Sequence, residues 1–315
     1  MIGIFSYLVF FLVVALTFGI AVMGLNLQWG FTGLFNAGVV GFMAVGGYTT
    51  AILMGPVRPE VFGGFDLPFV IAIAGGMVAS GIAALIVGLA TLRLREEYLA
   101  VATFGIAVTI QLIALNAEYL TGGTLGLIGI PRPLSGWFES PLAYNIFYLG
   151  VVVAFAGLTY AGLERIVRSP WGRRLKAMRE DEEAAASLGK DPVRIRLEAF
   201  VIGSMIMGMS GGIYVGFIGY ISPFDFFPIV TFQVWTMLIV GGSANNRGAL
   251  LGAVLVWGIW TWSGFIISKV VPPLYQTQSG AIQVILIGLV LVLTLLFRPR
   301  GLIGEEEHVS THARV

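Results

Sequence analysis

Residues 165–198, RIVRSPWGRRLKAMREDEEAAASLGKDPVRIRLE, decide how the rest of this chain must be arranged. This stretch, which we call the charged segment, contains 9 of the chain's 18 Lys and Arg residues and 6 of its 17 Asp and Glu residues. It is the only long polar stretch in an otherwise apolar sequence. Because charged groups are expensive to place in hydrocarbon, the charged segment must face water between two membrane-spanning halves.

The composition is that of a membrane protein. The chain has 315 residues, of which 57% are hydrophobic and 11% are charged, whereas about 25% of the residues of a soluble protein are charged. Windows of about 20 uncharged residues recur, and each is long enough to cross a bilayer as a helix. The sequence has no cysteine, and its two histidines, His308 and His312, lie in the C-terminal tail. Disulfides, thiolate metal sites and an intramembrane histidine site are therefore excluded.

These windows predict an all-α, polytopic transmembrane bundle with about nine spans, eight to ten being compatible with the pattern. The first span lacks the basic start and cleavage site of a signal peptide, so we expect it to be retained. The glycine-rich range 26–54 is either a closely packed helix or an unwound, re-entrant element. We expect a transmembrane domain at 1–303, with the polar loop 164–198 inside it, and a polar tail at 304–315. The expected spans are 4–23, 26–54, 67–92, 98–116, 144–163, 199–220, 229–240, 250–268 and 281–297.

The distribution of basic residues predicts an orientation. Nine alternating spans from an outside N-terminus put 15 Lys and Arg residues on one side of the membrane and 3 on the other. Because cytoplasmic loops carry the excess of basic residues, the charged segment and the C-terminus are predicted to be cytoplasmic.

Start and stop signals predict helix within the charged segment. The Ser-Pro pair at 169–170 can begin a helix, which could run to about Leu188 and stop at Gly189. The Asp-Pro pair at 191–192 is a second start signal, for the helix that enters the membrane. Charged pairs four residues apart also favour one or two short helices between two spans.

The charged segment has an apolar side as well. Trp171, Leu175, Met178 and Leu188 lie on it, and an alanine run occupies 184–186. Small and apolar residues surrounded by charge are typical of a helix that docks into a groove on a partner. The alternative is a solvated connector that only sets the topology; the apolar side favours the docking surface.

At this segment the chain resembles a known family. Glu183, Ala184 and Ala185, followed after three further residues by Gly189, match the EAA-type loop of ABC importer permeases. The longer string SPWGRRLKAMREDEEAAASLGKD is similar to the loop of branched-chain amino acid permease subunits, the LivM type of the LivH/LivM family. The resemblance covers about 20–303. Four more strings agree in the same order: NLQWGFTGLFNAG, TGGTLGLIGIPRP, VGGSANNRGALLGA and FRPRGL.

The resemblance implies a coupling helix at about 173–189 that seats in a groove on a cytoplasmic ATPase subunit. It implies two such ATPases, which bind ATP and magnesium, a homologous LivH-type permease subunit and an extracytoplasmic solute-binding protein. This chain would bind no cofactor or metal, would carry no catalytic residue and would lie in the cytoplasmic membrane of a bacterium or an archaeon. The residues that the resemblance assigns to ATPase coupling are Arg173, Arg174, Arg179, Glu182, Glu183, Ala184, Ala185 and Gly189.

Three departures from the family pattern leave the solute open. After Gly189 the chain lacks the isoleucine and the Leu-Pro pair of the wider motif. Asn36, Gly38 and Val39 stand where related sequences often carry Ser and then Gly-His. The span 98–116 has no acidic or basic residue in its middle.

Uncharged polar residues at membrane depth are candidates for a solute path, because such residues face a bundle interior or a cavity. Hydrogen bonding between helices is the alternative for each of them. The candidates are Asn26, Gln28, Asn36, Gln111 and Gln233. Glu118 and Asp225 lie near span ends and are expected to be interfacial. Small residues at every fourth position predict a face for close helix packing, made of Ser204, Gly208, Gly212 and Gly216.

The sequence therefore predicts a permease subunit that forms half of a translocation path for branched-chain or related amino acids and performs no chemistry. It has no P-loop for ATP hydrolysis and no acidic or histidine relay for proton coupling. A same-family permease for urea, short amides or another small polar solute is one alternative. A stand-alone channel or secondary carrier is another, whereas a membrane hydrolase would need a histidine or cysteine at membrane depth. Membrane lipid is an expected partner and nucleic acid is not.

Overall fold

The described part of the chain is mostly helical, as its composition predicts. The computed structural model describes residues 2–187, 189, 191–270, 272 and 279–304. Two short strands in that part, β1 (Leu127–Ile128) and β2 (Tyr220–Ile221), form an antiparallel pair. The helices are α1 (Ile2–Leu25), α2 (Val39–Met54), α3 (Phe69–Thr91), α4 (Glu96–Asn116), α5 (Glu118–Thr121), α6 (Pro141–Arg168), α7 (Pro170–Glu180), α8 (Glu182–Ser187), α9 (Pro192–Ile218), α10 (Pro228–Gly241), α11 (Asn246–Val270) and α12 (Ser279–Phe297).

Seven of the described helices are long and apolar enough to cross a membrane, namely α1, α3, α4, α6, α9, α11 and α12. The other two apolar helices, α2 and α10, have only 16 and 14 residues, whereas a span takes about 20. Seven of the nine expected spans therefore have the required length and composition. That α2 and α10 complete the count to nine stays a prediction.

The centre of the bundle is α9, which packs against α1, α2 and α3. A Cβ atom at Gly46 of α2 would overlap the backbone of Gly208 of α9, and one at Gly212 would lie 2.5 Å from Thr50 Oγ1. Only glycine allows two helix backbones to approach so closely. The glycines of the range 26–54 thus contribute to close packing, which was one of its two interpretations.

The same range is also interrupted, as the second interpretation predicts. After α1 the chain makes a π-helix, Asn26–Gly30, and residues 31–38 then leave the helical conformation before α2 begins. We call residues 31–38 the unwound segment. Its backbone is supported by neighbouring helices, since Ala37 N–H donates to Thr103 Oγ1 of α4 at 3.0 Å. Irregular backbone at membrane depth is tolerated where protein groups satisfy it in this way.

Both predicted helix starts in the charged segment are confirmed. Ser169 Oγ accepts the backbone N–H groups of Trp171 and Gly172, at 3.2 and 3.4 Å, and so caps α7. Asp191 caps α9 by accepting the N–H of Arg194 at 3.2 Å. Gly189 has φ +76°, the left-handed conformation that glycine adopts at helix ends.

The charged segment forms two helices, the second of the two expected possibilities, rather than one helix running to about Leu188. The chain breaks at Asp181, which has extended dihedral angles (φ −157°, ψ 105°). Its carboxylate accepts the N–H of Ala184 at 2.9 Å and caps α8, so the break is stabilised by a new helix start. Leu188 itself and the tail 305–315, with both histidines, lie outside the described residues.

The helices gather the polar connections at one end of the bundle, which we call the charged end. It holds α7 and α8 with the adjoining ends of α6 and α9, residues 92–95 between α3 and α4, the turn 242–245 with the start of α11, and residues 298–304. Asn245 Nδ2 joins the turn to the last of these by donating to the Gly304 carbonyl at 3.2 Å. The strand pair lies at the opposite end. Among the described residues, 13 Lys and Arg lie at the charged end and 3 at the opposite end.

Candidate coupling and transport sites

The first candidate site is α7, which is packed firmly against its own chain. Leu175 and Met178 are buried, 0% and 3% exposed. Trp171 Nε1 donates to Glu198 Oε2 of α9 at 2.7 Å. The expectation that this apolar side is free for a partner is therefore wrong, because the bundle of the same chain already covers Leu175 and Met178. Their burial stabilises α7 by about 1.5–3 kcal/mol for each large apolar side chain.

The last turn of α7 contacts the interrupted first hairpin, by which we mean α1, the π-helix, the unwound segment and α2. The Arg179 guanidinium donates to the carbonyl of Gly30, and the Lys176 ammonium lies 5.9 Å from the ring centroid of Phe31. Gly30 is the last residue of the π-helix, so its carbonyl is one of those that lose a helical donor and favour a basic side chain. Arg179, assigned by resemblance to an ATPase contact, is thus placed against the chain's own hairpin.

The other residues assigned to coupling surround α8. One side of α8 faces the bundle, where Ala185 is buried and Glu182 forms an ion pair with Arg196 of α9. The other side faces solvent. The assigned residues on that exposed surface, together with the exposed part of α7, are Arg173, Arg174, Glu183, Ala184 and Gly189. The arrangement is an exposed surface of charged and small residues, and the opposite side of α8 is held on the bundle by Ala185 and the Glu182–Arg196 ion pair.

Two of the intramembrane polar candidates hold the unwound segment against α9. Gln28 Nε2 donates to the Phe200 carbonyl at 2.7 Å and to Ser204 Oγ at 3.1 Å. Gln28 Oε1 accepts from Asn36 Nδ2 at 2.8 Å, and Asn36 Oδ1 accepts the N–H of Gly38 at 2.7 Å. Both side chains are fully buried. Their amides are satisfied by protein groups in this conformation, and contact with a solute stays a prediction.

Asn26 joins the same hairpin to the start of α11. Its Nδ2 donates to Asn246 Oδ1 at 2.9 Å, and its Oδ1 accepts the N–H of Ala244 at 2.8 Å. Ala244 has φ +59°, a conformation that non-glycine residues rarely adopt. Asn246 Nδ2 in turn donates to Glu164 Oε1 of α6 at 3.2 Å. Asn26, Gln28 and Asn36 are therefore brought together at one junction.

The remaining two candidates lie apart from that junction. Gln111 Nε2 of α4 donates to the Pro223 carbonyl at 3.2 Å. Gln233 of α10 is 5% exposed and lines a cavity. The structure thus does not unite the five polar candidates in one solute path.

The predicted packing face of α9 lies in the bundle interior. Ser204 and the three glycines are buried. A Cβ atom would overlap Ser80 Oγ if added at Gly208, and the Phe69 ring if added at Gly216. This face therefore lies against α2 and α3 at a distance that larger residues cannot occupy.

A cavity of about 270 Å³ lies between α1, α2, α9, α10 and α11. It sits toward the opposite end of the bundle, since Ile218, the last residue of α9, and Ile229, near the start of α10, line it. Phe18 and Trp257 form one wall, with ring centroids 4.9 Å apart. The polar and aromatic residues that line it are Phe10, Phe18, Tyr214, Asp225, Phe226, Gln233, Trp257 and Trp260.

Asp225 was expected to be merely interfacial, but its half-buried side chain lines this cavity. Its Oδ2 accepts the N–H of Ser222 at 2.9 Å, while Ser222 Oγ accepts the N–H of Phe224 at 3.2 Å. Burial raises the pKa of the Asp225 carboxyl, and the hydrogen bond from Ser222 partly offsets that rise. The capping-box spacing of Ser222 and Asp225 was a signal for this turn, but nothing in the sequence indicated the cavity.

A bundle of seven long apolar helices with a helical, charged connection at one end defines a multi-pass membrane protein. Within the ranges that the structure describes, no group of His, Cys, Asp and Glu could hold a metal ion. The chain belongs to the family of permease components of branched-chain amino acid transport systems, because that family's model, "Branched-chain amino acid transport system / permease component", matches residues 7–295.

Curated relatives agree with this membership. The chain is 30% identical over 302 residues to the high-affinity branched-chain amino acid transport system permease protein LivM of Escherichia coli, covering 89% of this chain but 66% of that relative. It is 26% identical to the probable branched-chain amino acid transport permease protein LivM of Methanocaldococcus jannaschii, covering 91% and 90%. It is also 22% identical to LivH of Escherichia coli, covering 92% of each chain. No solved structure matches the chain.

Proposed function

We propose that this chain is a permease subunit of an ABC importer and forms half of a translocation path for branched-chain or related amino acids. The family match over residues 7–295 supports the class of protein. The names of the LivM relatives support the solute class. The observation that carries the proposal is the placement of α7 and α8. Both present a charged surface to solvent, and α7 also contacts the first hairpin through Arg179.

In this proposal α7 and α8 are the coupling helices. Two ATPase subunits close when they bind ATP, and their motion displaces the exposed surface around Arg174 and Glu183. Because Leu175 and Met178 are buried, α7 moves as a rigid body with its neighbours. The Arg179 contact passes that displacement to the unwound segment.

A second connection leads from α8 into the centre of the bundle. Glu182 pairs with Arg196 in the first turns of α9. α9 packs on α2 and α3 through its glycine face and also contacts α1. A closely packed helix transmits displacement along its length rather than absorbing it. Motion at the charged end therefore reaches the helices that surround the path.

The proposed partners are two cytoplasmic ATPases, a homologous LivH-type permease subunit, an extracytoplasmic solute-binding protein and the surrounding lipid. The charged end faces the cytoplasm, since it carries the excess of basic residues. The chain catalyses no reaction, and ATP with its magnesium binds to the ATPase subunits. The membrane is the cytoplasmic membrane of a bacterium or an archaeon.

Two alternatives make different predictions. A same-family permease for urea, short amides or another small polar solute would give ATP-driven uptake of those solutes and not of leucine. A stand-alone channel or secondary carrier would transport after reconstitution of this chain without an ATPase.

Uptake of radiolabelled leucine by proteoliposomes containing the full importer tests the proposal. Glu183→Arg should lower ATP-driven uptake at least tenfold and release the ATPases during purification, because it reverses a charge on the exposed surface. Glu139→Arg, an equally exposed change at the opposite end, should preserve both. If uptake and ATPase association both survive Glu183→Arg at normal membrane levels, α8 is not a coupling element.

A further inference from the structure

The 270 Å³ cavity between α1, α2, α9, α10 and α11 has a polar and an apolar part. Its volume falls just below the roughly 300–1,000 Å³ of sites for drug-sized ligands, so it suits a small solute. At the charged end Asn26, Gln28 and Asn36 are engaged with protein groups. The polar groups of the cavity, at the opposite end, make fewer hydrogen bonds to protein groups.

The Asp225 carboxylate marks the polar part. Only its Oδ2 accepts a hydrogen bond from the described residues, the N–H of Ser222. Gln233 also lines the cavity, and its amide makes no hydrogen bond to a described residue. The negatively charged carboxylate of Asp225 can accept hydrogen bonds from the ammonium of a zwitterion, and the Gln233 amide can donate to its carboxylate.

The apolar part lies beside them. Phe18 and Trp257 form a tilted pair with centroids 4.9 Å apart, and Trp260 lines the same wall. Next to the cavity, the Tyr48 hydroxyl is buried without a hydrogen-bond partner in the described part of the chain, and its ring centroid lies 6.2 Å from that of the lining residue Phe226. A buried polar group left unsatisfied costs about 1–3 kcal/mol.

We propose that this cavity is a solute site in which an aliphatic α-amino acid binds its ammonium to Asp225, its carboxylate to the Gln233 amide and its side chain to the Phe18–Trp257 wall. This inference rests on the proposed function, from which it takes aliphatic amino acids as the solute class. The cavity lies in the half of the bundle away from the coupling helices. It is therefore placed to receive solute released by a binding protein on that side.

The chain has no cysteine, so one introduced thiol reports on the cavity. In the reconstituted importer, Val230→Cys places the thiol on the cavity wall, and its alkylation by a small maleimide is followed by the mass of this chain. Leucine delivered by the binding protein should slow alkylation at least threefold. Val153→Cys, in a separate cavity between α1, α6 and α11, should be alkylated at the same rate with and without leucine.

Adding Asp225→Asn to the Val230→Cys chain should abolish the protection by leucine. Asparagine keeps an oxygen that accepts the N–H of Ser222, so the turn is preserved while the charge is removed. Glu139→Gln, an exposed acidic residue at the same end, should leave the protection unchanged.

The outcomes separate this inference from the proposed function. If the importer takes up leucine but leucine does not protect Val230→Cys, or if Asp225→Asn keeps full protection, the site is wrong and the proposed function stands. Alkylation that changes with lipid composition and not with leucine assigns the cavity to a lipid chain and also overturns the site. Protection without ATP-driven uptake supports the site and contradicts the proposed function.

Discussion

The Arg179 guanidinium donates a hydrogen bond to the carbonyl of Gly30, which joins residues 149 positions apart in the chain. Arg179 lies in the last turn of α7, and Gly30 ends the π-helix that precedes the unwound segment. The contact therefore connects the most charged part of the sequence with its first interrupted hairpin. In the proposed function, a motion of α7 would reach the membrane interior by this route without passing along α9.

The first prediction concerns that contact. Arg179→Met removes the donor and keeps much of the apolar stem, so the chain should still assemble with its ATPases. The amount of leucine taken up per ATP hydrolysed should fall about tenfold. Arg174→Met, which changes an exposed residue on the same helix, should instead weaken ATPase association in co-purification. An unchanged uptake-to-hydrolysis ratio in Arg179→Met would show that the hydrogen bond transmits nothing.

The second prediction concerns the packing of α9. Gly208→Ala introduces a Cβ atom that overlaps Ser80 Oγ, and overpacking of this kind costs about 1–3 kcal/mol. The unfolding temperature of the purified chain in detergent, followed by gel filtration after heating, should fall by several degrees. Gly105→Ala is the matched control, because no atom lies within 4 Å of a Cβ at that position of α4. It should be neutral or slightly stabilising, by up to about 1 kcal/mol.

The third prediction concerns the support of the unwound segment. Asn36→Ala leaves Gln28 Oε1 and the N–H of Gly38 without partners, and each loss costs about 1–3 kcal/mol. Both the unfolding temperature and leucine uptake should fall. Asn116→Ala removes an exposed side chain that donates only to the Leu112 carbonyl, so it should change neither. Equal effects of the two substitutions would contradict a special role for Asn36.

Local signals in the sequence determine much of what the structure shows. The apolar windows locate the long helices to within seven residues at each end, and the capping residues Ser169 and Asp191 begin α7 and α9. An apolar window depends on one continuous run of about 20 residues. A cap depends on groups within one helical turn of each other. The spacing of the charged pairs allowed one helix or two and did not locate the break at Asp181, whose carboxylate caps α8 by accepting the N–H of Ala184.

Long-range partners explain the remaining differences. The side-chain amides of Gln28 and Asn36 form a hydrogen bond with each other, and Gln28 also donates to the Phe200 carbonyl of α9. The periodicity of a sequence does not reveal a contact between residues so far apart in the chain. The apolar side of α7 also looked free, because a sequence does not tell whether Leu175 covers a partner or its own bundle. The cavity beside Asp225 is formed by residues from five helices, so it depends on their packing and no local sequence pattern indicates it.

The seating of α8 on an ATPase subunit is the central claim, and site-directed cross-linking measures it directly. A benzophenone maleimide attached to Glu183→Cys in the otherwise cysteine-free chain is irradiated in the assembled importer, with Glu139→Cys as the matched position at the opposite end. We expect a cross-linked product containing the ATPase from residue 183 and none from residue 139. Equal ATPase cross-linking from both positions, or none from residue 183 in a complex that still hydrolyses ATP and takes up leucine, would contradict the claim.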